Sequence, residues 1–261
     1  MSISHRFALG KAWEALRIEL DAWSEAGLIA TFWWRDDDAR THTPALERLL
    51  QLAEAHSTPV ALAVIPMSCE RSLEMRVRHE PRVAILQHGI RHVNRAPATL
   101  KKVELWEGCD PEQVRDELRA GVRRLASLFA RPLPVLVPPW NRIGGNHLQR
   151  LHESGFRGLS TFGPRQASSD VRRVNCHVDP IGWRHDRRFV GEEAALRQVL
   201  AHLRARRLAN SDRDEPTGLL SHHLVHDEST WRFIQNLLAE TGAHPVCRWL
   251  TAEETFALPC D

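Results

Sequence analysis

The 261-residue sequence has no tyrosine, three methionines and five cysteines, and its charges almost cancel: 35 basic against 33 acidic side chains, formal net charge +2. These shortages remove whole classes of function. A balance so close to neutral, with no basic run interleaved with aromatics, excludes the electrostatic footprint of a nucleic-acid binder. The densest basic cluster, Arg204-Ala205-Arg206-Arg207, falls near the end of a helical pattern, where cations suit the helix dipole. No apolar stretch approaches the ~20 residues a bilayer requires, so no membrane association is expected. Cys69, Cys109, Cys176, Cys247 and Cys260 form no CxxC pair and no even framework. Free thiols in a reducing compartment follow. Met1-Ser2-Ile3-Ser4-His5-Arg6 leads into a charged amphipathic segment rather than an apolar signal core, so a cytoplasmic protein is expected. Repeats, low-complexity stretches and linkers are also missing. At this length one domain spanning residues 1–261 is the reading, and nothing speaks to its oligomeric state.

What the chain does have is a regular alternation of apolar runs and helical patterns. Trp13, Leu16, Leu20 and Trp23 recur at helical spacing and stop at Gly27. That predicts an N-terminal helix over 10–27 packed on the rest of the domain. Strands are expected at 28–34, 59–66, 82–87, 133–137, 158–162, 174–178 and 218–221. Helices are expected at about 44–56, 111–130, 146–154, 192–207 and 229–241, with a short strand and a helical turn in the tail. Residues 90–110 show no period and read as a long loop. Seven or eight strand–helix alternations imply a mainly parallel sheet. Polar residues fall at so many strand ends that a closed or nearly closed barrel, a distorted (β/α)7 type in the α/β class, is favoured over an open sheet.

Chemistry-bearing residues gather at those strand ends. Asp36-Asp37-Asp38 follows the first apolar strand, and three adjacent carboxylates repel unless a cation or Arg35 offsets them. The alternative is an acidic turn before a helix N-terminus. His88 and His92 lie four apart after the third strand. They could share a helix face, but Gly89 stands where a zincin helix needs glutamate, and a strand end with a following turn fits better. Two imidazoles and a carboxylate from an earlier strand would make a three-ligand site with an open position, as in hydrolases. Asn94 is expected to hold the loop by bonding backbone. Pro138-Pro139-Trp140-Asn141-Arg142 places a broad aromatic after another strand, either at a pocket wall or in the core, and Trp183 has the same two readings. Asp179 with Arg184 could tune a neighbour or form a surface pair. His222 and His223 end the last strong strand, and a histidine facing a metal site there is a candidate general acid.

These five segments, in this order, resemble the polysaccharide deacetylase superfamily (NodB homology, carbohydrate esterase family 4), over roughly residues 28–226. The resemblance implies a metal-dependent hydrolase of a non-peptide carbon–nitrogen bond, a deacetylase acting on an N-acetylated sugar or related small amide. It implies Asp37 as general base and Asp38, His88 and His92 as ligands of a divalent metal, zinc by donor type. It implies His222 as the catalytic histidine. Trp140, Asn141, Arg142, Asp179, Trp183 and His223 would then line the substrate. Asp36-Asp37 is the other register of the first motif, and the family's arginine before the paired prolines is Val137 here, with Arg142 a candidate replacement. Two other readings stay open: a non-catalytic glycan-binding or regulatory barrel, and another metal-dependent hydrolase such as a phosphoesterase, for which the chain shows no clear phosphate motif.

Overall fold

In the computed structural model, which describes residues 3–166, 170–183 and 186–259 and side chains from residue 10 onward, the sheet is organised around one long strand, β1 (Ala30–Ala39). The others are β2 (Val60–Val64), β3 (Val83–His88), β4 (Val135–Val137), β5 (Gly158–Leu159), β6 (Arg172–Arg173), β7 (Thr217–Ser221) and β8 (Cys247–Trp249). They run in the order β6-β5-β4-β3-β2-β1-β7, every pairing parallel, with β8 set beside the start of β1. The helices are α1 (Ile3–Glu25), α2 (Pro44–Ala55), α3 (Arg71–Val77), α4 (Pro111–Leu128), α5 (Gly145–Leu148), α6 (Glu192–Arg207), α7 (Glu228–Ala243) and α8 (Ala252–Phe256).

The gap between β6 and β7 is bridged by residues 174–178. Cys176 pairs with Phe162 on one side and Val178 with Leu219 on the other. Val178 N–H donates to Gly218 O (3.0 Å) and Leu220 N–H to Val178 O (2.8 Å). The segment expected as a strand thus acts through single bridges, and the architecture is the distorted (β/α)7 barrel that the alternation predicts.

β1 shows why the sheet has two different faces. Trp33 packs inside the barrel with Ala61, Leu86, Val137, Cys176 and Leu220. Phe32 and Trp34 point outward into the larger helix-side core with Leu16, Leu20, Trp23, Leu196 and Phe233. Successive strand side chains alternate in this way because the pleat has a period of two. Leu16, Leu20 and Trp23, each at most 1% exposed, bind α1 to the outside of the barrel. Gly27, at φ +65°, lets the chain reverse after α1, and Leu28 N–H closes on Trp23 O (3.0 Å).

Two local expectations are corrected, and one helix was not expected. The first strand does not stop at Trp34 but runs through all three aspartates, because each carboxylate finds its own partner there. Helix α3, between β2 and β3, carries no strong apolar period and is not apparent in the sequence pattern. The expected helix 146–154 is the four-residue α5 followed by a separate 3-10 turn at His152–Ser154. Bonding there shifts from i−4 to i−3 partners, as in Arg150 N to His147 O (3.2 Å).

Candidate active site

The three aspartates of β1 are sorted by the backbone. Asp36 shares the outward parity of Trp34. Its Oδ2 accepts from Ser221 Oγ (2.6 Å) and His223 N–H (3.0 Å), and its Oδ1 lies 2.5 Å from His223 Nδ1. Burial opposes its ionisation, but His223 and Ser221 outweigh that and hold its carboxyl below the usual range. Asp37 shares the inward parity of Arg35. Asp38 has a left-handed φ of +73°, and the β1–β2 register slips between Asp36 and Ala39. That irregularity breaks the alternation and carries the third carboxylate to the C-terminal rim.

At the rim Asp38 Oδ1 lies 3.2 Å from His88 Nε2 and 3.3 Å from His92 Nε2. One donor atom from each residue falls within 4.8 Å of the others. His88 ends β3, opposite Val137 of β4, and its Nδ1 donates to Val137 O (2.9 Å). That bond fixes the tautomer and leaves Nε2 facing Asp38. Burial would raise the Asp38 carboxyl, yet the hydrogen bond and charge of His88, with His222 and His92, hold it well below its ordinary range. Burial and the neighbouring His88 push His92 down, toward the neutral imidazole that ligation needs. The donor set, two imidazole nitrogens and a carboxylate, suits a divalent ion such as zinc.

The two histidines are not on a helix. Gly89 (φ +55°) and His92 (φ +59°) turn the chain after β3. The buried Glu104 braces that turn by accepting N–H groups of Ile90 (2.9 Å), Arg91 (2.8 Å) and Val93 (3.2 Å). A Cβ on residue 89 would sit 2.1 Å from Glu104 Oε2 and 2.5 Å from Pro139 Cδ, so glycine is required by space as well as by φ. Asn94 holds the loop through backbone, as expected, bonding Ala96 O (3.0 Å) and Val103 N (2.9 Å). Glu104 is a residue that sequence reasoning missed; nothing in a structureless loop marks it.

Arg35 is the other. Its guanidinium, fully buried, sends Nη2 to Asp37 Oδ2 (3.0 Å) and to Asn141 Oδ1 (2.6 Å), and Nη1 to Ser160 Oγ (2.6 Å). Nε lies 2.8 Å from Asp37 Oδ1, off the N–H direction, so that contact is one of charge. Arg142, the expected candidate for this place, instead donates to Lys102 O (3.0 Å) at the surface. The adjacency of an arginine two residues before Asp37 on one strand was the available signal, since such pairs share a face.

His222 follows β7, with Nε2 4.0 Å from Asp37 Oδ2 and Nδ1 buried without a partner among the described residues. Trp183, 40% exposed, sets its ring edge-on to His222 at 4.5 Å and donates Nε1–H to Asp179 Oδ2 (2.7 Å). Arg184, expected beside Asp179, lies outside the described residues. Trp140 (φ +55°) tilts against His92 at 4.5 Å, on the opposite side. His223 is 1% exposed and turned onto Asp36, so the expectation that it faces substrate is corrected. The structure therefore gathers Asp37, Asp38, His88, His92, Trp140, Asn141, Asp179, Trp183 and His222, and leaves Arg142 at the margin.

A second buried group, His177, His202 and Glu215, also brings donor atoms within 4.8 Å. His177 Nδ1 accepts the N–H of Gly218 (3.1 Å), which puts the neutral ring's proton on Nε2, 3.4 Å from Glu215. A protonated nitrogen is no ligand, and the group reads as a buried polar pairing.

No protein-family model and no curated protein matches the sequence. Solved structures do. A Mycobacterium smegmatis protein described as a polysaccharide deacetylase matches at TM-score 0.64 and 16% identity, over 88% of this chain and 90% of its own. The peptidoglycan N-acetylglucosamine deacetylase Bc1960 matches at TM-score 0.59 and 16% identity, over 91% and 97%. A family 4 acetyl xylan esterase from Clostridium thermocellum, solved with a cobalt ion, matches at TM-score 0.53 and 15% identity, over 88% and 93%. The chain has the polysaccharide deacetylase fold, as the motif order implied. No helix among the described residues is long and apolar enough to cross a membrane.

Proposed function

We propose that the chain is a metal-dependent deacylase that hydrolyses the amide C–N bond of an N-acetylated sugar or a related small amide. The observation that carries this reading is the convergence of Asp38, His88 and His92 beside an Asp37 that is locked by Arg35 and faced by His222. Asp38 Oδ1 is buried and faces only the two imidazole Nε2 atoms among the described residues, and His88 keeps its Nδ1 proton on Val137 O, so the donors fit a divalent ion, with zinc the simplest choice. Such an ion, when bound, supplies Lewis acidity toward a carbonyl and toward water.

The chain's own residues do the rest. Asp37 takes the proton from the attacking water, and Arg35 fixes the direction of its carboxylate. Arg35 is thus a positioning residue, and through Asn141 and Ser160 it ties Asp37 to the wall after β4 and to the end of β5. His222 returns a proton to the departing nitrogen, which as a bare amide anion would be a very poor leaving group. Trp140 and Trp183 flank the centre from opposite sides and present faces to a sugar ring or an acyl methyl. Acidic Asp36 takes no part, because its oxygens are committed to Ser221 and His223.

The test is acetate release from a panel of N-acetylated sugars, acylated amines and O-acetyl esters, with phosphate esters as the competing arm, under added zinc, cobalt or nickel. Turnover of an N-acyl substrate that disappears in Asp37→Asn supports the reading. Phosphate release alone, or no turnover with the histidines shown to hold no metal, would sink it.

A further inference from the structure

A cavity of about 470 Å³ opens beside the site, with Trp106 on one wall and Asn141, Arg142, Thr161 and Arg173 on the others. Two of these residues join it to the reaction centre. Asn141 Oδ1 and the Thr161 carbonyl both accept from the Arg35 guanidinium that holds Asp37.

The polar groups of this cavity are donors in surplus. Because Arg35 fixes the Asn141 amide through its oxygen, the Asn141 Nδ2 points elsewhere, and it has no acceptor among the described residues. Arg142 spends one N–H on the Lys102 carbonyl (3.0 Å) and has no carboxylate partner among the described residues. Arg173 makes no side-chain hydrogen bond or ion pair among the described residues, and its Nε is shielded from solvent without an acceptor. Native structures leave few such groups unmatched. This chain matches many of its arginines to acids, as in Arg76–Glu47, Arg165–Asp212 and Arg207–Glu19. Among the described residues lining it, only the exposed Glu107 brings a carboxylate to the cavity, against two guanidiniums. Planar forks of N–H donors in a concave site are built for carboxylate or phosphate oxygens.

We infer that this cavity binds an oxyanion carried by the substrate, which makes the substrate an acidic or phosphorylated N-acyl sugar rather than a neutral one. The link to substrate rests on the deacylase reading; the anion binding does not.

The test uses the His88→Ala/His92→Ala protein in chelator, so that no metal can hold the anion. Glucuronate, inorganic phosphate and neutral N-acetylglucosamine are titrated separately and followed by calorimetry and amide NMR shifts. Saturable binding of glucuronate, phosphate or both is expected, with none for the neutral sugar. Response to one anion alone identifies the group as carboxylate or phosphate. Arg142→Gln/Arg173→Gln should weaken binding by roughly tenfold or more, the scale of charge-assisted hydrogen bonds. Arg173→Lys, which keeps the charge and loses the fork, should fall between. Both arginines are only partly buried, so unchanged melting of these variants verifies folding. No saturable binding of either anion, or binding indifferent to both arginines, overturns the inference. Anion binding with turnover of neutral N-acyl substrates alone overturns the link to substrate, and anion binding with no N-acyl turnover at all upholds the cavity and removes the deacylase reading instead.

Discussion

Arg35→Met is the substitution that probes the centre most directly. Methionine keeps an unbranched stem of similar length inside the barrel but removes a guanidinium that is 0% exposed. Asp37, 2% exposed, would then be an unbalanced buried charge, and Asn141 Oδ1 and Ser160 Oγ would each lose a donor. Breaking a buried ion pair from one side costs about 3–5 kcal/mol. For a chain of this size that corresponds to a melting temperature lower by roughly 6–20 °C. Urea unfolding in chelator measures it free of any metal contribution. Adding Asp37→Asn removes the stranded charge, so the double variant should recover a substantial part of the loss, and the cycle should show strong coupling. Turnover should collapse in Arg35→Met with metal content retained. A cost below about 1 kcal/mol, or two single effects that simply add, would refute the view that this pair is a locked unit.

The remaining predictions address the ligands, the loop and the buried histidines. His88→Ala should abolish stoichiometric metal by elemental analysis, and metal surviving that change removes His88 from the ligand set. Asp37→Asn should keep metal and lose turnover by about 10²–10⁴-fold; full activity would take the base role away from Asp37. Gly89→Ala should cost roughly 1–3 kcal/mol and weaken metal affinity, since the added methyl meets Glu104 and Pro139; a neutral result in unfolding and metal titration would show that the brace yields. Burial drives the His202 imidazole down to about 2. The unfolded chain therefore takes up a proton at this residue near pH 6.5 that the folded chain refuses, so stability is lost as pH falls below 6.5. The slope approaches ~1.4 kcal/mol per pH unit for each such group. Urea midpoints between pH 7 and pH 5 should fall in the wild type and flatten in His202→Gln, and equal slopes would be evidence against it.

Much of the barrel was legible because burial on both faces leaves continuous apolar runs such as Val60–Val64, and because Pro44 and Pro111 stand at helix starts, which the structure caps with Thr43 and Asp110. The candidate site was legible as strand-end polar groups, so Asp38, His88, His92 and His222 could be proposed without coordinates, and the structure brings them together. What pattern could not supply was pairing at a distance. Arg35 meets Ser160 and Asn141 across more than a hundred residues, and Glu104 finds its backbone donors only once the loop has folded back. Assigning His223 needed the same information, because two adjacent histidines look alike until one of them is seen to pair with Asp36. The length of β1 was misjudged for a related reason: consecutive carboxylates read as a turn unless their separate partners are known.

The arrangement of β1 also limits how this chain can change. Arg35, Asp36 and Asp37 are assigned to the interior or the helix layer by position in the pleat alone, with no spacer between them. Substitutions alter one compartment at a time, but loss or gain of a single residue between Ala30 and Asp36 acts like a frameshift. It would exchange the occupants of both faces, sending the guanidinium into the helix layer and a tryptophan into its place inside the barrel. Diversification by insertion and deletion is thereby confined to the connections, above all the long loop 90–110, while the strand that bears the acids is fixed in length.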